Sequence, residues 1–153
     1  MNKDYQHILL ATDFSPFSKH AARRAMKLAS YCDETRLTFI HVIDEDYYDE
    51  FGSVFSGLAT GGGFTNQQDV LLKEAQDQML HFTNKLDAND VQTKVVKGIP
   101  RKTIMTFAKT HHIDLIVMGA HGRHGLARLL GSTTNNVMNY SQCDVLAVYM
   151  RNV

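Results

Sequence analysis

Apolar residues gather in five short runs, His7 to Thr12, Leu37 to Ile43, Val91 to Lys97, Ile113 to Met118 and Asp144 to Met150, and the intervening stretches carry helical spacing. This alternation predicts an α/β protein built on a parallel sheet. Ser15 and Pro16 read as N-cap and first residue of a helix whose apolar face is Ala21, Ala22, Ala25, Met26, Leu28 and Ala29. Leu72, Ala75, Met79, Phe82 and Leu86 recur at spacings of three and four, an amphipathic helix with its stripe in the core. Pro100 opens a third helix with Ile104, Phe107 and Ala108 behind it, and Ser132 after Gly131 opens a fourth through Val137 and Met138.

The same pattern orders the strands. Ile8 to Ala11 and Leu115 to Met118 are continuously apolar, as strands covered on both faces must be, so they belong at the centre. Val91, Thr93 and Val95 alternate with Gln92, Lys94 and Lys97, which gives that strand a wetter face and an edge position. With right-handed crossovers the expected fold is an open, doubly wound, five-stranded parallel sheet of order 3-2-1-4-5, helices on both faces. Chain direction reverses between strands one and four, and ligands of such sheets bind outside the carboxyl ends at that switch point. Residues 44–68 fall outside the alternation, with acidic Asp44, Glu45, Asp46, Asp49 and Glu50, a Gly61-Gly62-Gly63 tract and scattered Phe51, Val54, Phe55 and Leu58. They read as a flexible flap, since structureless loops of about 20 residues are either disordered or functional, covering a ligand or meeting a partner.

A length of 153 residues suits one domain spanning the chain, 1–153. Sixteen basic and sixteen acidic side chains cancel, which removes the field that draws a protein onto nucleic acid. Cys32 and Cys143 form neither a paired framework nor a CxxC, and no apolar run reaches the ~20 residues of a membrane span. The expectation is a soluble cytoplasmic protein without zinc, nucleic-acid or membrane partners.

Candidate chemistry concentrates at two strand ends. After strand four come Gly119, Gly122 and Gly125 at three-residue spacing, which allows positive φ and close approach of backbone N–H groups to an anion. Arg123, helped by His121, can supply countercharge, and Gly131-Ser132 adds unpaired N–H donors, a hydroxyl and the positive end of a helix. The pattern is neither GxxxxGK[ST] nor GxGxxG, so it defines an oxyanion-friendly loop or, equally, a flexible turn with a Ser N-cap. Asp13 ends strand one, where its carboxylate could meet a ribose, an adenine amine or a Mg²⁺ carried by the nucleotide, or could be a turn carboxylate. Val42 at its strand end could face an adenine ring, whereas His41 beside it reads as a satisfied core histidine. Ala11 and Thr12 before Asp13, Met118 before Gly119 and Thr133 after Ser132 complete the candidate set. His111-His112 reads as a solvated helix end and not a metal pair. No paired carboxylates, Ser/His/Asp or Cys/His set emerges, so catalysis is unsupported.

Ile8-Leu9-Leu10-Ala11-Thr12-Asp13-Phe14-Ser15, His41-Val42-Ile43-Asp44-Glu45, Gly98-Ile99-Pro100, Met118-Gly119-Ala120-His121-Gly122-Arg123 and Gly131-Ser132 resemble the universal stress protein (UspA) family across nearly the whole chain. The resemblance implies a Rossmann-like, adenine nucleotide alpha hydrolase-like fold, a homodimer, and in one branch ATP binding through G, two residues, G, nine residues, then G-S/T. Here eight residues, Arg123 to Leu130, separate Gly122 from Gly131, one fewer than that pattern. By resemblance Asp13 and Val42 meet the ribose and adenine, and Gly119, Gly122, Gly131 and Ser132 the phosphates of ATP or AMP, with or without Mg²⁺. Independently, the strand at 144–150 is apolar on both faces yet falls at an edge, so pairing with the same strand of a second copy would cover it. The functional expectation is a stress-response switch or sensor that binds an adenine nucleotide; a nucleotide-independent interaction module and a weak ATP hydrolase are the alternatives.

Overall fold

The computed structural model describes residues 5–45, 67–121 and 130–150, so most of the expected flap (46–66) and the span 122–129 lie outside the described residues. The strands are β1 (His7–Ala11), β2 (Arg36–Asp44), β3 (Gln92–Gly98), β4 (Leu115–Gly119) and β5 (Asp144–Val148). The helices are α1 (Pro16–Ala29), α2 (Gln67–Lys85), α3 (Pro100–Thr110) and α4 (Ser132–Tyr140). All pairings are parallel and the order is β3-β2-β1-β4-β5, as the apolar pattern predicts. Asp44, expected in the flap, is the last residue of β2 and pairs with Gly98.

Both central strands are buried along their whole length. Alternate residues feed two layers. Ile8, Leu10, Phe39, Leu115 and Val117 meet Ala21, Ala22 and Ala25 of α1 and Met79 and Phe82 of α2. On the other face Leu9, Ala11, Ile40, Val42, Ile116 and Met118 meet Ile104 and Ala108 of α3 and Val137 of α4. Three alanines let α1 lie close to the sheet, and Ser15 starts that helix by accepting the Ser18 N–H, with Pro16 in the first turn. β3 grades from exposed to half-buried, which fits its edge position.

β5 is shorter than the apolar run, because its last partner is Gly119, opposite Val148. It is also less buried than expected of a strand apolar on both faces: Leu146 is 37% exposed, and beyond the strand Tyr149 and Met150 are exposed as well. Among the described residues no helix is long and apolar enough to cross a membrane.

Candidate functional site

The turn after β1 is fastened by its own polar side chains. Thr12 N–H still bonds Ile40 O at 2.9 Å, and Thr12 Oγ1 accepts the Phe14 N–H at 3.0 Å. Asp13 Oδ1 accepts the Ser15 N–H at 3.0 Å and the hydroxyl of buried Ser18, while Ser18 Oγ accepts the Asp13 N–H at 3.1 Å. Asp13 is therefore a turn carboxylate, and the same bonds hold it rigidly at the carboxyl end of β1. Phe14 takes a left-handed φ of 63°, sparsely populated for a bulky side chain. Its ring lies 4.3 Å from the His41 ring and 5.6 Å from that of Phe82. His41 is half-buried with Nδ1 2.8 Å from the Thr12 carbonyl oxygen, a satisfied histidine as expected.

Of the glycines at this end of the sheet Gly119 and Gly131 are described, and they serve differently from the expectation of positive φ and open amides, while Gly122 and Gly125 lie outside the described residues. Among the described residues the glycine with positive φ is Gly98, at +152°, and Gly119 is not in that region. Gly119 is required by close approach: a Cβ there would stand 3.0 Å from Phe17 Cβ and 3.1 Å from the Phe17 carbonyl carbon, so the end of β4 lies against the start of α1. Gly131 is the N-cap of α4 with an ordinary φ of −57°, which makes Ser132 the first helical residue and not the cap. Its N–H, expected to be unpaired, bonds the Ala120 carbonyl oxygen at 2.9 Å. Ala120 N–H bonds Val148 O at 2.9 Å, and the buried Thr134 hydroxyl donates to the Gly119 carbonyl oxygen at 2.9 Å. The two turns thus meet. The donors that helix geometry leaves without an intrahelical acceptor are the amides of Ser132, Thr133 and Thr134.

Ala11, Val42 and Met118 all lie in the layer covered by α3 and α4, the side from which α4 presents its first turn. Thr12 is buried, Ser132 is exposed, and Gly131 and Thr133 are half-buried beside them in sequence. His121 is placed elsewhere. Only 5% exposed, its ring makes edge contacts with Phe17 of α1 at 5.4 Å and Tyr149 at 5.5 Å, so it is packed at the α1 side rather than presented as countercharge. Gly122 and Arg123 lie outside the described residues. Ser18 and Thr134, which hold the two turns, were not singled out by periodicity or spacing; Ser15-Pro16 offered only an ordinary cap signal.

Ala11, Val42 and Met118 belong to the apolar layer under α3 and α4, the Asp13 carboxylate is fixed at the start of α1, and the first turn of α4 offers N–H groups, a hydroxyl and a positive dipole that suit an anion. Among the described residues no three His, Cys, Asp or Glu side chains group as metal ligands. His111 is the C-cap of α3, its ring stacked 3.8 Å from Phe107, and with His112 it is exposed, a solvated helix end.

Comparison with known proteins shows the family. The model of the Universal stress protein family matches residues 4–149. Universal stress protein A homolog 1 of Coxiella burnetii is 33% identical over 152 residues, 96% of this chain and 98% of that protein. The solved structure of MJ0577, a universal stress protein of Methanocaldococcus jannaschii, superposes with a TM-score of 0.77 at 29% identity, covering 98% of this chain and 99% of that one. A universal stress protein solved in complex with cAMP gives a TM-score of 0.59 at 26% identity, covering 96% and 98%.

Proposed function

This chain belongs to the universal stress protein family, and from that membership we propose that it binds an adenine nucleotide, ATP or AMP, at the carboxyl ends of β1 and β4 and acts as a cytoplasmic homodimeric switch or sensor in the stress response. The observation that carries the reading is the junction of β4 with α4. Gly131 N–H to Ala120 O and Thr134 hydroxyl to Gly119 O bring the amide-bearing first turn of α4 to the carboxyl end of β4, the strand that pairs with β1 at the sheet's switch point. The relative in complex with cAMP supports an adenine nucleotide as the ligand class.

In this reading Asp13 accepts from the ribose hydroxyls, and Thr12 flanks it. Ala11, Val42 and Met118 support the adenine. The Ser132 and Thr133 amides and the Ser132 hydroxyl receive the phosphates, next to Gly119 and Gly131, and Gly122 and Arg123 complete that end of the site. Bound Mg²⁺ would neutralise phosphate charge. His121 contributes by packing the end of β4 against α1.

Titration calorimetry with ATP, ADP and AMP, with and without Mg²⁺, tests the reading: heat that saturates below millimolar ligand is expected, and none at millimolar ligand would sink it. Asp13→Ala and Ser132→Ala should each weaken binding by about tenfold, the worth of a hydrogen bond to a charged group. The homodimer is supported by the edge position of β5 and the exposed Leu146, Tyr149 and Met150 at and just beyond it. Analytical ultracentrifugation at micromolar protein should return twice the chain mass; a strict monomer contradicts this part.

A further inference from the structure

The strand ladder leaves one carbonyl unprovided for at the switch point. β1 pairs with β4 only as far as Ala11 opposite Met118, and strand geometry turns successive residues to opposite neighbours. Because the Ala120 N–H reaches β5 through Val148 O, the Gly119 carbonyl faces the β1 side, one residue past the last β1 partner. There Thr134, in the first turn of α4, donates its buried hydroxyl to that oxygen at 2.9 Å.

We infer that Thr134 is a positioning residue for the phosphate end of the nucleotide site, and the inference rests on the reading proposed above. Two effects act together. The hydroxyl engages a carbonyl dipole whose negative end would otherwise stand unpaired where a phosphate must come, a repulsion strengthened by the low dielectric of a partly closed site. It also adds a hydrogen bond between the end of β4 and the first turn of α4, beside the one from Gly131 N–H to Ala120 O, and so helps to fix the direction of that turn. With both ties the Ser132 and Thr133 amides are aimed by the framework before any ligand arrives, and preorganisation of this kind raises affinity by lowering the ordering cost of binding.

The test compares ATP binding by calorimetry in wild type, Thr134→Val, Thr134→Ser and Val137→Ala, each well below its own melting temperature. Valine keeps the shape and removes the donor, serine keeps the donor, and Val137, fully buried one turn further along α4, packs in the core layer under α3 and α4 without a side-chain donor. Thr134→Val should bind ATP at least about tenfold more weakly. Thr134→Ser should stay close to wild type, and Val137→Ala should lose thermal stability without a matching loss of affinity. If Thr134→Val fails to fold, Thr134→Ala takes its place in the comparison. Unchanged affinity in the hydroxyl-free variant, or an equal loss in Val137→Ala, overturns the inference while leaving the nucleotide reading intact. If the wild type binds AMP but not ATP, the same comparison is made with AMP; a wild-type protein that binds none of ATP, ADP and AMP overturns both.

Discussion

A methyl group at Gly119 would press on Phe17 Cβ, the Phe17 carbonyl carbon and the His121 carbonyl oxygen at 3.0, 3.1 and 3.2 Å, and two of these three atoms are backbone. Relief requires a shift of a few tenths of an ångström in the first turn of α1 and at the His121 carbonyl. Gly119→Ala should therefore cost about 1–3 kcal/mol, the usual range for an overpacked core, read by urea denaturation. His7 lies at the other end of the sheet, 4% exposed, with Nε2 2.9 Å from Thr38 Oγ1 and Nδ1 buried without a hydrogen-bond partner among the described residues. Burial first, and the nearby Arg36 charge second, hold its pKa below the ordinary histidine value. The ring is thus neutral in the fold over a pH range in which the unfolded chain already binds a proton. Stability from this site is complete above about pH 6.5 and is lost as pH falls through the lowered folded-state value. Denaturation curves at about pH 7.5 and about pH 5.5 should show a smaller acid loss in His7→Gln than in wild type.

At the level of elements, α1 depends on its first turn. Ser15 is buried, and its Oγ accepts the Ser18 N–H at 3.2 Å, so Ser15→Ala should cost about 1 kcal/mol by chemical denaturation. That cap was legible in the sequence, as were the five strands and their order, because continuous burial of Ile8–Ala11 and Leu115–Met118 and the alternation in β3 are written in residue type. The chain ends of the elements were less so. The run through Met150 looked like strand, yet β5 stops where β4 runs out of partners, a fact of register and not of local propensity. The candidate site was legible as a location but not in its internal bonding. Gly119 was chosen for conformational freedom and is needed for lack of bulk; the Gly131 amide was assigned to a ligand and belongs to Ala120; Thr134 went unmarked. Each of these depends on a contact between segments far apart in sequence, which periodicity and spacing cannot register. His121 is the same case: its neighbours Phe17 and Tyr149 come from α1 and the end of β5.

For the molecule as a whole, ligand binding and folding are linked. A nucleotide that binds only the native chain should stabilise it by about 2.7 kcal/mol when present at about 100 times its dissociation constant. Thermal scans should rise by several degrees with the preferred nucleotide and stay unmoved with inorganic phosphate at equal ionic strength. A rise with phosphate alone would assign recognition to the anion and remove the role of Asp13 and Val42. The Gly131 to Ala120 bond has a separate consequence for evolution and engineering. It joins Ala120 to the start of α4 through the framework itself, so the seating of the first turn of α4 against the end of β4 does not rest on the intervening chain alone. A spacing one residue shorter than the family pattern therefore leaves that junction in place.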